Sequence, residues 1–141
     1  MKDIIVSADS SNAMIAQINL GEQHLIIDES SAETGVDSGP GPYDYILSAL
    51  GSCTVITLQM YAKRKNWPLE RTEVYLHEVK AEPEATTTNG QSSNRRLRIE
   101  KKLKLIGNLS PEQIKRLEDI SSRCPVQRSL EAGIIIQTIL E

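Results

Sequence analysis

The sequence predicts an α+β fold, strands wrapped on one long central buried helix, in a single domain over residues 1–141. Three observations lead there. From Tyr45 to Ala62 the chain carries no charged residue, and a helix so apolar must be covered on nearly every side. Stretches of period two lie before and after it, the later ones parted by Asn89-Gly90, a strong hairpin signal. Strands and helices do not alternate as βαβ units and no Gly-rich phosphate loop is present, which sets a dinucleotide fold aside.

In chain order, Ile4-Ile5-Val6, Ala13 to Leu20 and Gln23 to Asp28 read as three short strands, the last two joined tightly through Leu20-Gly21-Glu22. Met14, Ala16, Ile18 and Leu20 share one face. Glu29 to Pro42, rich in Ser, Gly and Pro, is a loop leading into the helix. The helix is expected from Tyr43 to about Lys65, roughly 34 Å at ~1.5 Å per residue. Pro42 suits the first helical position, Asp44 puts a carboxylate in the first turn, and Lys63, Arg64 and Lys65 crowd the last, so both ends match the helix dipole. A membrane span is set aside, because Ser48, Gly51, Ser52, Thr54, Thr57 and Gln59 are too polar for a stretch of ~20 apolar residues. Ser48, Gly51 and Ser52 instead form a small-residue strip that lets another helix come close. Cys53 lies near the face shared by Ala49, Leu50, Ile56, Thr57 and Met60.

After Pro68, Val74 and Leu76 alternate with Tyr75 and His77 in a strand running to about Glu82. Pro83 to Asn94 is a polar turn region. Leu97, Ile99, Leu103 and Leu105 then alternate with Arg96, Arg98, Glu100, Lys102 and Lys104, and Lys101 is the one break in the beat. Ser110-Pro111-Glu112-Gln113 is a capping box that opens a helix with Ile114, Leu117 and Ile120 facing inward, ending near Arg123. Cys124-Pro125 looks like a second start, with Cys124 as N-cap of a short helix through Leu130. Gly133 stops it, and Ile134 to Leu140 is expected as a closing strand.

The two cysteines are 71 positions apart and form neither a Cys-x-x-Cys motif nor a metal-ligand cluster, so no metal and no bound cofactor is expected. The opening residues hold one lysine and an apolar run too short for a secretory signal, which points to the cytoplasm and to thiols reduced at rest. The net charge is only -3, but it is unevenly distributed. Residues 1–62 hold one cation against eight acids, a balance of -7, and residues 63–141 hold fifteen cations against eleven acids, a balance of +4. The basic part is interleaved with glutamates and the chain has no Phe and one Trp, so two solvated faces are favoured over a nucleic-acid surface. An apolar helix longer than one small domain can cover suggests a two-fold homodimer.

Read by residue type alone, Cys53 is a small buried hydrophobe. Cys124 is the better-placed anion, since an N-cap sulfur meets free backbone N–H groups, with Arg123 and Arg128 close in sequence. His24 and His77 lie on separate strands and read as half-exposed strand residues.

GPGPYDYILSALGSC, followed some seventy residues later by RCPVQRSLEAG, resembles the OsmC/Ohr family of osmotically induced and organic hydroperoxide resistance proteins. The resemblance covers most of the chain. It implies an intertwined α+β homodimer with the long helices at its centre and two sites built from both subunits. It further implies that Cys53 is peroxidatic, attacking the peroxide oxygen to become a sulfenic acid, and that Cys124 resolves it as a disulfide, which a dithiol such as a lipoylated protein reduces. Two departures stand out: no arginine precedes Arg64, whereas the family's peroxidases place one in an N-terminal strand or loop, and Tyr43 stands where they hold a glutamate. Asp44, beside Tyr43, is the candidate substitute. The alternative function is an OsmC-like dimeric binding module for a small apolar or thiol ligand, without peroxidase activity.

Overall fold

The computed structural model describes residues 3–35, 39–79 and 96–141. The elements are β1 (Ile4–Ser7), a 3-10 turn (Ser10–Asn12), β2 (Ile15–Leu20), β3 (Gln23–Asp28), α1 (Ser31–Thr34), α2 (Pro42–Lys65), β4 (Arg71–Glu78), β5 (Ile99–Ile106), α3 (Pro111–Ser121) and α4 (Pro125–Ala132). They form two compact units that divide inside α2, between Ser48 and Ala49.

In the first unit β1, β2 and β3 make an antiparallel meander, with Leu20 opposite Gln23 across a two-residue turn. Gly21, the first of those two residues, has φ 62°, a conformation that strains residues with a Cβ. Ile18 is buried, Met14, Ala16 and Leu20 are half-buried, and Gln17 and Asn19 face solvent, the alternation expected of a one-sided strand. The segment expected as a loop after β3 contains the single-turn α1, closed by Gly35, whose N–H donates to the Ser31 carbonyl. Backbone pairing of Asp28 N with Pro40 O at 3.1 Å then sets the start of α2. Pro42 is its first residue, as the sequence predicts, and the Tyr45 hydroxyl donates to the Ile26 carbonyl at 2.9 Å.

The second unit holds the main core. Leu58, Tyr61 and Ala62 of α2 pack with Leu69 and with Leu117 and Ile120 of α3, while Trp67, Leu103, Leu105 and Leu109 close around them. β4 and β5 pair antiparallel with Val74 opposite Leu103 and Leu76 opposite Lys101. Val74, Leu76, Leu103 and Leu105 are half-buried and Tyr75 and His77 exposed, so the predicted beat holds. The Asn89-Gly90 turn, and the predicted end of the first strand at Glu82, lie outside the described residues. The capping box of α3 is formed, Gln113 N donating to Ser110 Oγ at 3.1 Å and Ser110 N to Gln113 Oε1 at 2.9 Å.

Three expectations need correction. Gly51 makes room for a strand rather than a helix, since a Cβ on it would lie 2.7 Å from Leu76 Cδ1. Ile114 is 45% exposed, so the inward face of α3 is Leu117, Ile120 and Ser121. Among the described residues, Ile56 and Met60 of α2 remain 57% and 68% exposed, on the helix for which the sequence suggests a second copy as cover. Finally, residues 134–140 are not a strand. A strand exists only where a neighbour completes its backbone hydrogen bonds, none does so among the described residues, and Ile135 is fully exposed.

Among the described residues, α2 is the one helix that by length and composition could cross a membrane. Its fully buried Leu58, packed with Leu117 and Leu69, marks it as a core helix of a folded unit.

Candidate active site

Both cysteines are free thiols, and both belong to the second unit, Cys53 half-buried on α2 and Cys124 completely buried. They lie near one another. The Cys-Pro step explains the placing of the second. Pro125 takes the first helical position of α4, where its missing N–H costs nothing, and Cys124 is left in extended geometry (φ -63°, ψ 140°) as the N-cap. Its Sγ accepts the Gln127 backbone N–H at 3.3 Å, satisfying one of the free donors at the helix start. The sequence-level expectation of a sulfur cap is therefore met in geometry.

Thr54, the residue after Cys53, reaches the same sulfur. Its fully buried hydroxyl lies 3.7 Å from Cys124 Sγ and 2.9 Å from the Leu50 carbonyl one turn back. The one hydroxyl hydrogen is shared between these two acceptors, and the oxygen lone pairs stay free to accept. Lys101 Nζ supplies that donor at 3.1 Å.

Lys101 joins this cluster, and sequence reasoning noted it only as a break in the beat. The register that puts Leu103 and Leu105 inward also puts residue 101 inward, opposite Leu76, so the break in the beat is a cation pointing into the unit. Its ammonium makes three hydrogen bonds, to Thr54 Oγ1 at 3.1 Å, to the Ser121 carbonyl at 2.8 Å and to Gln127 Oε1 at 2.6 Å. Three donors meet three acceptors. Ser121 is the last residue of α3, where free carbonyls and the negative end of the dipole favour a cation. Gln127 is fixed in turn, its side-chain amide donating to Glu131 Oε1 at 2.6 Å. Burial pushes the Lys101 ammonium below the usual lysine range, while the facing Cys124, then Glu131 and Cys53, oppose that shift.

The remaining sequence candidates have contacts of their own. The Asp44 carboxylate, in the first unit, accepts the Gly41 N–H at 2.8 Å and so serves the entrance of α2. His24 bonds Asn19 Oδ1 at 2.7 Å on an exposed strand, and His77 Nε2 lies 3.8 Å from Glu100 Oε2. Arg123 pairs with Asp119 at 2.8 Å, and Arg128 is exposed. Among the described residues no His, Cys, Asp or Glu cluster could hold a metal ion. A groove of about 370 Å³ is lined by Gln59, Met60, Ala62, Lys63, Trp67 and Leu69, with neither thiol on its wall.

A reduced thiol that caps a helix, a second thiol close by and an inward ammonium between two helix ends define a thiol protein of α+β build. The family model described as OsmC-like protein matches residues 35–139, and the chain belongs to that family. Solved structures agree on the fold. An OsmC-like protein from Mycoplasma pneumoniae superposes with TM-score 0.71 at 20% identity, covering 93% of this chain and 87% of that one. The organic hydroperoxide resistance protein OhrB of Bacillus subtilis gives TM-score 0.57 at 17% identity, over 91% and 88%. A putative organic hydroperoxide resistance protein from Vibrio cholerae, with captopril bound in one of its active sites, gives TM-score 0.59 at 12% identity, over 89% and 82%. No curated protein matches the chain by sequence.

Proposed function

We propose that the protein is a thiol-dependent reductase of organic hydroperoxides, acting in the cytoplasm as a homodimer through Cys53 and Cys124. The observation that carries this is the nearness of two free thiols, one half-buried on the long helix and one held by a helix cap, in a family whose solved members include organic hydroperoxide resistance proteins. The Cys53 thiolate attacks the peroxide oxygen, giving a sulfenic acid and an alcohol. Cys124 then displaces the hydroxyl as water and forms the disulfide, and an external dithiol, lipoyl-type in class, exchanges with it to restore both thiols. Cys53 is the peroxidatic member because it is the more accessible of the two.

A second copy of the chain supplies the cover that one chain lacks. Exposed Ile56 and Met60 on α2 and the exposed Ile134, Ile135, Ile136, Ile139 and Leu140 of the C-terminal segment support it. Sedimentation at micromolar concentration should return twice the mass of one chain, and a monomeric mass would remove the dimer.

Cumene hydroperoxide consumption with a dithiol reductant tests the chemistry. Cys53→Ser should abolish turnover, and Cys124→Ser should leave a sulfenic acid that dimedone traps. If both serine variants turn over like the wild type, there is no thiol chemistry here. The alternative, a binding module for a small apolar or thiol ligand, draws on the captopril bound to the Vibrio cholerae neighbour, captopril itself being a thiol. It predicts that mild peroxide forms no intramolecular disulfide.

A further inference from the structure

Lys101 is a cation placed where a strand's inner face calls for an apolar side chain, and taking it out of water is costly unless a negative group faces it. The groups that face it are Cys53 on α2, the cap sulfur of Cys124, and Glu131 on α4, with Thr54, Gln127 and the Ser121 carbonyl as neutral acceptors. Two residues tie this ammonium to the cap sulfur. Gln127 holds both at once, its side-chain oxygen on Lys101 Nζ and its backbone N–H on Cys124 Sγ. Thr54 spans them from the other side, at 3.1 Å and 3.7 Å.

We propose that Lys101 is the positioning cation of the two-thiol site, holding Cys124 as a thiolate, through Thr54 and Gln127, for its attack on the oxidised Cys53. The proposal deepens the reductase reading and rests on it for the role of Cys124. In the step it serves, the Cys124 thiolate sulfur attacks the sulfur of the Cys53 sulfenic acid. An S–S bond forms, the S–O bond breaks, and hydroxide leaves and is protonated to water. The Cys124 sulfur is oxidised and the Cys53 sulfur reduced, the two oxidising equivalents having come from the hydroperoxide, and the dithiol later returns two electrons. Attack requires the thiolate, so the fraction of Cys124 that is ionised sets the rate of disulfide closure. Arg123, nearest in sequence, is tied to Asp119 and leaves Lys101 as the inward cation among the described residues.

The test reads the thiolate itself. In a Cys53→Ser background, absorbance near 240 nm is followed against pH, with the Cys53→Ser/Cys124→Ser protein as blank. Adding Lys101→Met should move the Cys124 midpoint up by about one pH unit, roughly a tenfold loss of thiolate on the acid side. Lys101→Arg, which keeps the charge, should restore the parent midpoint. Thr54→Val provides a second route should Lys101→Met not fold, and its midpoint should also rise, by less. A lysine that merely ties β5 to α3 and α4 would change stability and leave the midpoint alone, and an unmoved midpoint in folded Lys101→Met or Thr54→Val overturns the proposal. Because no peroxide is used, a wild type without hydroperoxide turnover would overturn the reductase reading separately.

Discussion

Thr54→Val removes one oxygen and puts a methyl of similar size in its place, so it opens no cavity and isolates the hydrogen bonding. The hydroxyl's bond to the Leu50 carbonyl duplicates the helix's own pairing and contributes little. Its bond from Lys101 Nζ is charge-assisted, at a completely buried oxygen. Losing the acceptor leaves one ammonium N–H without a partner, for about 1.5–3 kcal/mol. The loss should also depend on pH in a stated direction. Lys101 already has its folded-state titration lowered by burial, and the valine lowers it further. Below that range both native proteins carry the ammonium and the whole difference is present. As pH rises through the lowered lysine range the valine variant releases its proton first, the unpartnered donor goes with it, and the difference has closed once the wild type has followed. Urea unfolding of wild type, Thr54→Val and Thr54→Ser at pH 7 and near pH 10 measures this, the serine variant retaining the oxygen and showing no such pH trend. A valine variant as stable as wild type, or a difference that is the same at both pH values, would refute the described contact.

Other substitutions probe the frame around the site. Gly107→Ala should be among the most damaging single changes, at about 3 kcal/mol or more, because Gly107 has φ 152° and an added Cβ would overlap the Pro68 carbonyl oxygen, which as backbone cannot yield. Thermal melting checks it, and a shift of a degree or less would sink the claim. Leu117→Ala empties a fully buried position in the core of the second unit and should cost about 3–5 kcal/mol in denaturant unfolding. Ser110→Ala removes the side-chain half of the α3 capping box, the bond from Gln113 N to Ser110 Oγ, for about 1 kcal/mol, with Ser110→Asp recovering most of it.

Much of the fold was legible because the governing signals are local. Pro42 and Pro111 announce helix starts, Ser110 and Gln113 reveal a cap, and period two along Leu103 to Ile99 reveals an inner face, each through neighbours in sequence. The cysteine cap was legible for the same reason, since proline after Cys124 fixes where the helix begins. What failed needed partners distant in the chain. Ile134 to Leu140 has the composition of a strand, but pairing decides, and among the described residues nothing pairs with it. Gly51 was read as a helix contact because a missing side chain says that something approaches, not what. Lys101 lies between these cases. Its irregularity was visible as a charge on the apolar beat, while its meaning required Thr54, Ser121 and Gln127 to converge from three other elements.

The pairing of Leu76 with Lys101 gives the hairpin a tolerance and a vulnerability. Insertions or deletions between β4 and β5 that preserve which residues face each other would leave the site's charge untouched, whatever their number. A slip of β5 by a single position would turn Lys101 out to water and offer Glu100 or Lys102 to the interior instead. In the first case an anion would confront two sulfurs. The identity of the ion beside the thiols is thus written in the parity of a strand as much as in the codon for one lysine.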